Sequence, residues 1–134
     1  MYTSANAFSR EISRHYDNVF RSLNLTTSYV ELLLYIHKKK DCTQKELADE
    51  MMLAPSTITR FISKLEKRKF VEKNRSGKTV TVKLTDEGED KIAEIKRLYR
   101  KADKELSILL GERFLETTSK LLEFGADQLG NQEE

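Results

Sequence analysis

Proline and cysteine each occur once in these 134 residues, glycine five times and tryptophan not at all. So little proline and glycine leaves few enforced breaks and excludes linker-rich or collagen-like chains. The single cysteine, Cys42, cannot close an internal disulfide. It has no Cys or His neighbours at zinc-ligand spacing, so no metal site is expected. No stretch reaches the roughly 20 apolar residues that span a bilayer, and the start MYTSANAFSREISRHY lacks the basic-then-apolar order of a secretory leader. A cytoplasmic protein without a membrane role is the expectation. Also missing are a Gly-rich phosphate loop, a nucleophile with a base in sequence context, and a carboxylate pair framed by apolar residues. Neither an enzyme nor a cofactor is expected.

What is present is charge. Charged residues make up 34% against 38% apolar, which suits long solvated helices, and the length suits one domain. The net charge is only +2, but its distribution is uneven. Between Arg60 and Lys83 nine basic residues face two acidic ones, leaving +7 there and −5 elsewhere. A basic block in an otherwise acidic chain is the footprint of a phosphate-contacting surface. Charge alone fits a solvated face equally well.

Phe8, Ile12, Tyr16, Val19, Phe20 and Leu23 recur at steps of three and four, predicting an amphipathic helix from about Ala5 to Leu23. Thr26 is the expected cap of a second helix carrying Tyr29, Val30, Leu33, Leu34 and Ile36 and ending in the basic run to Lys40. After Asp41-Cys42, Thr43-Gln44-Lys45-Glu46 forms a capping box that opens a third helix. Met52-Leu53-Ala54 is too apolar for a solvated linker and reads as a packed turn. Pro55 starts a fourth helix, because proline is tolerated in a first turn and not inside. Two short helices across a tight turn make a helix-turn-helix.

In the fourth helix Ile58, Phe61, Ile62 and Leu65 take one face, and Ser56, Thr59, Arg60, Ser63, Lys64 and Lys67 take the other. Hydroxyls and long cations are the side chains that reach phosphates and base edges from a major groove. The period then drops to two: Val80, Val82 and Leu84 alternate with Thr79, Thr81 and Lys83, opposite a shorter partner at Val71–Lys73. The intervening segment from Asn74 to Lys78 makes a hairpin loop with cations at its tip. Thr85-Asp86-Glu87 caps a long fifth helix with the stripe Ile92, Ile95, Leu98, Tyr99, Ala102, Leu106 and Leu109, ending at Gly111. A last helix carries Phe114, Leu115, Leu121, Leu122 and Leu129, and the tail from Gly130 to Glu134 is expected to fray. The fold class is therefore mainly α with a small β-hairpin wing.

The order of helices, the run LADEMMLAPSTITRFISKLEKRKFVEK, the hairpin and the closing VKLTDEG resemble the multiple-antibiotic-resistance regulator (MarR) family of winged-helix proteins. The sharpest parts are Ser56-Thr57-Ile58-Thr59-Arg60 with Leu65-Glu66, and Leu84-Thr85 with Gly88. The resemblance implies one domain over 1–134. Within it, a winged helix-turn-helix lobe would span about 26–88, and dimerisation helices about 5–24 and 89–130. It also implies a homodimeric transcriptional regulator on pseudo-palindromic double-stranded DNA, with the fourth helix in the major groove and the wing at the adjacent minor groove. The apolar stripes of the first, fifth and sixth helices, too many for one lobe to cover, agree with a symmetric partner. Many family members take small aromatic or lipophilic acids as effectors, and Tyr16, Tyr29 and His15 are candidates to line such a cleft. Aromatic residues at helical spacing are more often core.

Two departures stand out. Where the family's wing carries an acidic residue and paired arginines, this chain has Ser76-Gly77-Lys78 in a hairpin about three residues shorter, so Arg75, displaced along the loop, is expected to take over insertion. Where the family places a glycine after the recognition helix, this chain has Lys69.

Arg60 and Lys64 are the expected groove contacts, and Ser56, Thr57 and Thr59, near the helix N-terminus, the expected phosphate contacts. Ser63 and Lys67 share that outer face. Gln44 opens the third helix within reach of backbone, though a simple cap accounts for it equally well, and Arg75 and Lys78 are expected wing contacts. Cys42, near Lys38 to Lys40, is a weak candidate for oxidant sensing. His15 and His37 have no carboxylate at suggestive spacing and read as partly buried polar residues. The rival from another class is a winged-helix module that binds protein, an adaptor or anti-regulator. Such modules usually lose the cations that this chain keeps.

Overall fold

The computed structural model describes residues 1–133. Helix α1 (Tyr2–Phe20) runs into a 3-10 turn (Arg21–Leu23) and is followed by α2 (Thr27–Lys39), β1 (Asp41–Thr43), α3 (Gln44–Met51) and α4 (Pro55–Lys67). Then come β2 (Val71–Ser76), β3 (Thr79–Leu84), α5 (Asp86–Leu110), α6 (Glu112–Gly130) and a final 3-10 turn (Asn131–Glu133). The chain divides within α5 into two compact units, Met1–Tyr99 and a second from Arg100 onward.

The helix starts show which caps are local. Thr43 Oγ1 accepts the amide of Glu46 at 3.0 Å, as the capping box predicts. Thr26 does not act as the side-chain cap of α2. Asp17 on α1 takes that role: one carboxylate oxygen accepts the Thr27 amide at 2.8 Å and the Thr27 hydroxyl at 2.6 Å. A charged acceptor at a helix N-terminus is the stronger cap, and this one ties α1 to α2. Helix α1 begins at Tyr2 rather than near Ala5, and the segment expected to fray is helical from Gly130 to Glu133. Glu134 lies outside the described residues.

The sheet has three strands in the order β1-β3-β2, all antiparallel. The hairpin was legible as alternation. The third strand was not, because Asp41-Cys42-Thr43, paired with Lys83, Val82 and Thr81, is too short to show a period. Strands β2 and β3 pair from Val71 opposite Leu84 to Ser76 opposite Thr79. The turn is therefore only Gly77-Lys78, with Gly77 at φ 62, where a glycine is favoured. Arg75 sits in β2 opposite Val80 and not in a loop, which corrects the reading of Asn74–Lys78 as the intervening segment.

The core of the first unit gathers Phe20, Val30, Leu32, Leu33, Ile36, Leu47, Ile58, Ile62, Leu65 and Ile95, each fully buried. In the second unit Ala102 and Leu106 are buried, whereas α6 buries none of its residues. Leu109, Phe114, Leu121, Leu122 and Leu129, read as an apolar stripe, stand exposed together with Phe124.

Candidate nucleic-acid interface

Helices α3 and α4 end in the same device without a glycine at either. Met52 adopts φ 55, with its amide bonded to the Asp49 carbonyl and the Leu53 amide to that of Ala48. Lys69 adopts φ 64, with its amide on Glu66 and the Phe70 amide on Leu65. These are Schellman ends, in which two orphan carbonyls are satisfied at the cost of one left-handed residue. Lys69 thus keeps the helix end that a glycine would allow more easily. The turn packs less completely than its composition suggests, since Leu53 is half-buried while Met52 is 83% exposed. Met52 takes the left-handed position, and its side chain is left in solvent.

Beyond the turn, Pro55 occupies the first turn of α4, and Ile58, Ile62 and Leu65 face inward at zero exposure. Burying that face fixes the rotation of α4, which turns Ser56, Thr59, Arg60, Lys64 and Lys67 outward. Thr57 and Ser63 lie at the edges, half-buried. The Arg60 guanidinium lies 5.6 Å from the centre of the Phe61 ring and the Lys64 ammonium 5.3 Å from that of Tyr29. Gln44 Nε2 donates to Thr59 Oγ1 at 3.2 Å, and Thr59 in turn donates to the Pro55 carbonyl at 3.0 Å. These two expected DNA contacts therefore bond to each other in the free protein.

The two acids of the basic block are already paired. Glu66 meets Lys73 at 3.5 Å, joining α4 to the base of the wing, and Glu72 meets Lys83 at 3.1 Å across the hairpin. Among the described residues Arg60, Lys64, Lys67, Arg75 and Lys78 form no carboxylate ion pair, so their charge faces outward uncompensated. Arg75 and Lys78 are exposed, one within β2 and one at the tip.

Three features of this lobe escaped sequence reasoning. Arg68, counted there only as charge, donates to the backbone carbonyls of Asn24 at 2.6 Å and Leu23 at 2.9 Å. His37 Nδ1 lies 2.8 Å from Glu89 Oε2, so His37 does have a carboxylate partner, 52 residues away and invisible to local spacing. Gly88 packs against the recognition helix end so closely that a Cβ there would lie 2.1 Å from the Phe70 carbonyl oxygen.

The expected effector residues do not share one place. Tyr29 lines a cavity of about 330 Å³ with Asp17, Arg21, Lys64 and Arg68. Tyr16 instead packs on the rings of His15 and Tyr99, at 5.7 and 5.3 Å. Cys42 is buried in β1, where burial first and then the charges of Glu46 and Asp41 push its thiol up to about 11. That is the reverse of what a sensor thiol needs. Among the described residues no group of three His, Cys, Asp or Glu could hold a metal ion, and no helix is long and apolar enough to cross a membrane.

Known proteins share both this lobe and its surroundings. The model of the MarR family matches residues 25–78, which run from the start of α2 through the recognition helix to the wing tip. An uncharacterized HTH-type transcriptional regulator of Bacillus cereus is 32% identical over 82 residues, covering 61% of this chain and 56% of that relative. The chain thus matches little more than half the length of such relatives. A mutant MarR from E. coli complexed with operator DNA superposes with a TM-score of 0.82 at 21% identity, covering 90% of this chain and 89% of that one. The S. aureus MepR-DNA complex gives a TM-score of 0.82 at 19% identity, over 96% and 98%. The chain is thus similar to the MarR family from the start of α2 to the wing tip, and it shares the fold of these solved structures.

Proposed function

We propose that the protein is a sequence-specific, double-stranded DNA-binding transcriptional regulator that acts as a homodimer on a pseudo-palindromic operator. Helix α4 enters the major groove with Arg60 and Lys64 reading or approaching base edges, while Ser56, Thr57, Ser63 and Lys67 meet the flanking backbone. Gln44 and Thr59 hold α3 and α4 in register and exchange their mutual bond for phosphate where the backbone comes within reach. Arg75 and Lys78 bring the wing to the neighbouring minor groove. The observation that carries this reading is the outer face of α4, whose cations have no acidic partner while both acids of the basic block are neutralised within the lobe. A winged-helix module that binds protein usually loses those cations.

The dimer rests on a different observation. Helix α6 exposes Leu121, Leu122, Phe124 and Leu129, an apolar face that a lone chain would leave in water. A symmetric partner covers such faces on both copies at once. The domain plan follows: a winged lobe over about 26–88, with dimerisation helices over about 5–24 and 89–130. The cavity beside Tyr29, with Arg21 and Lys64 on its wall, is the place in this lobe suited to a small acidic effector with an apolar body.

Selection of bound duplexes from a random pool, followed by binding across a salt series, tests the function. A two-fold symmetric motif is expected, with a log-log salt slope of about −0.9 per phosphate neutralised. A flat salt response would overturn DNA binding. Sedimentation at micromolar concentration should give twice 15.6 kDa, and a stable species at 15.6 kDa would overturn the dimer.

A further inference from the structure

We propose that Arg68 is a positioning residue that sets the angle between the recognition helix and α1, and through it the half-site spacing the protein accepts. The proposal rests on the DNA-binding reading above. Arg68 is the C-terminal cap residue of α4. Its Nη1 donates to the Asn24 carbonyl at 2.6 Å and its Nη2 to the Leu23 carbonyl at 2.9 Å, with the guanidinium carbon 4.8 Å from the centre of the Phe70 ring. The two acceptors close the 3-10 turn that ends α1, where Asn24 is left-handed at φ 53. One planar fork therefore bridges the last turn of α4 to the last turn of α1, between residues 44 and 45 apart in sequence.

A second strap stands beside it. The Thr85 amide donates to the Phe70 carbonyl at 3.0 Å and its hydroxyl to the Lys69 carbonyl at 2.5 Å, joining the same end of α4 to the start of α5. Helices α1 and α5 belong to the proposed dimer frame, and α4 is the reading head. Burial of Ile58, Ile62 and Leu65 settles which face of α4 is outward, but apolar contacts are non-directional and restrain its tilt weakly. Two charged hydrogen bonds from a rigid fork restrain it well. The lever is long: α4 has 13 residues, so it spans roughly 20 Å, and a tilt of about 10° at its C-terminal end moves the reading end by about 3.4 Å, one base step. Two of the five N–H donors of Arg68, one from each Nη, are held by these carbonyls, so the fork is aimed at the 3-10 turn.

The test uses the full chain, the operator recovered by selection, and versions of it with the half-site separation shortened or lengthened by one base pair, each across a salt series. Arg68→Lys keeps the charge and removes the fork, and Arg68→Gln removes both. Wild type should discriminate against the shifted sites. Both variants should bind about tenfold more weakly at the native spacing, the worth of one charged hydrogen bond, with discrimination among spacings compressed to within about threefold. Arg68→Lys should leave binding to random duplex and its salt slope unchanged. A fall in random-duplex affinity for Arg68→Lys, with a salt slope lower by about one, would overturn the proposal by making Arg68 a phosphate contact. A lower melting temperature with spacing discrimination intact would reduce Arg68 to a stabilising residue and overturn it equally. Wild type that binds no duplex would sink the DNA-binding reading itself. Intact wild-type binding with variants of unaltered spacing preference removes only this inference.

Discussion

Gln44 and Thr59 are hydrogen-bonded to each other, amide to hydroxyl at 3.2 Å, across the two helices of the helix-turn-helix. The Thr59 hydroxyl in turn donates a hydrogen bond to the Pro55 carbonyl at 3.0 Å, so the chain Gln44–Thr59–Pro55 stitches the first turn of α3 to the first turn of α4. Thr59→Val keeps the shape and removes the hydroxyl. A double-mutant cycle with Gln44→Ala should show a coupling of about 0.5 kcal/mol in stability, modest because the pair is exposed. Denaturant unfolding of the four proteins measures it, and no coupling would mean that the bond does not persist in solution.

The proposed function divides readout and positioning between α4 and the wing. An arginine in the major groove can donate twice to guanine, so Arg60→Ala should cost about 1 to 3 kcal/mol on the preferred site and relax preference at one position per half-site. Lys78 at the hairpin tip acts as a point charge, so Lys78→Ala should weaken all sequences alike and lower the salt slope by about one for each phosphate it neutralises. Titrations on specific and random duplex decide between the roles. Equal weakening on both for Arg60→Ala would return that residue to the backbone set.

Gly88 admits no side chain. A Cβ there would stand 2.1 Å from the Phe70 carbonyl oxygen, and that carbonyl already accepts the Thr85 amide and cannot swing away freely. Gly88→Ala should destabilise by about 3 kcal/mol, the upper end of overpacking costs. Thermal melts check this, and a variant as stable as wild type would show that α5 can shift off the end of α4.

Cys42 should be inert in the folded protein. The residue is 4% exposed, and its thiol is pushed up to about 11 from an ordinary 9.0, by burial before any charge. A folded pKa above the unfolded one means that the thiol's contribution is fully present below pH 9 and is lost as pH rises toward 11. At pH 8 a disulfide reagent should react slowly with the native chain and quickly after denaturation. Above pH 9 Cys42→Ala should lose less stability than wild type does, each compared with its own value at neutral pH. Rapid native labelling would contradict the burial.

Whatever repeats with a period, or is decided within four residues, could be read directly from the chain. The stripes of α1 and α5, the Thr43 cap, the start of α4 at Pro55 and the inward set Ile58, Ile62 and Leu65 are of this kind, because helix geometry converts spacing into faces without help from the rest of the fold. The basic block was legible for the same reason, being contiguous. What the tertiary structure alone decided is long-range or costly locally. Asp17 capping α2, Arg68 on Leu23 and Asn24, and His37 on Glu89 join residues separated by 10 to 52 positions, and a hydrogen bond across that distance leaves no trace in local spacing. Strand β1 is a strand only because β3 offers it an edge. Met52 and Lys69 hold left-handed conformations that sequence rules reserve for glycine. The local cost is about 1 kcal/mol each, and burial of the apolar face beside each turn exceeds it.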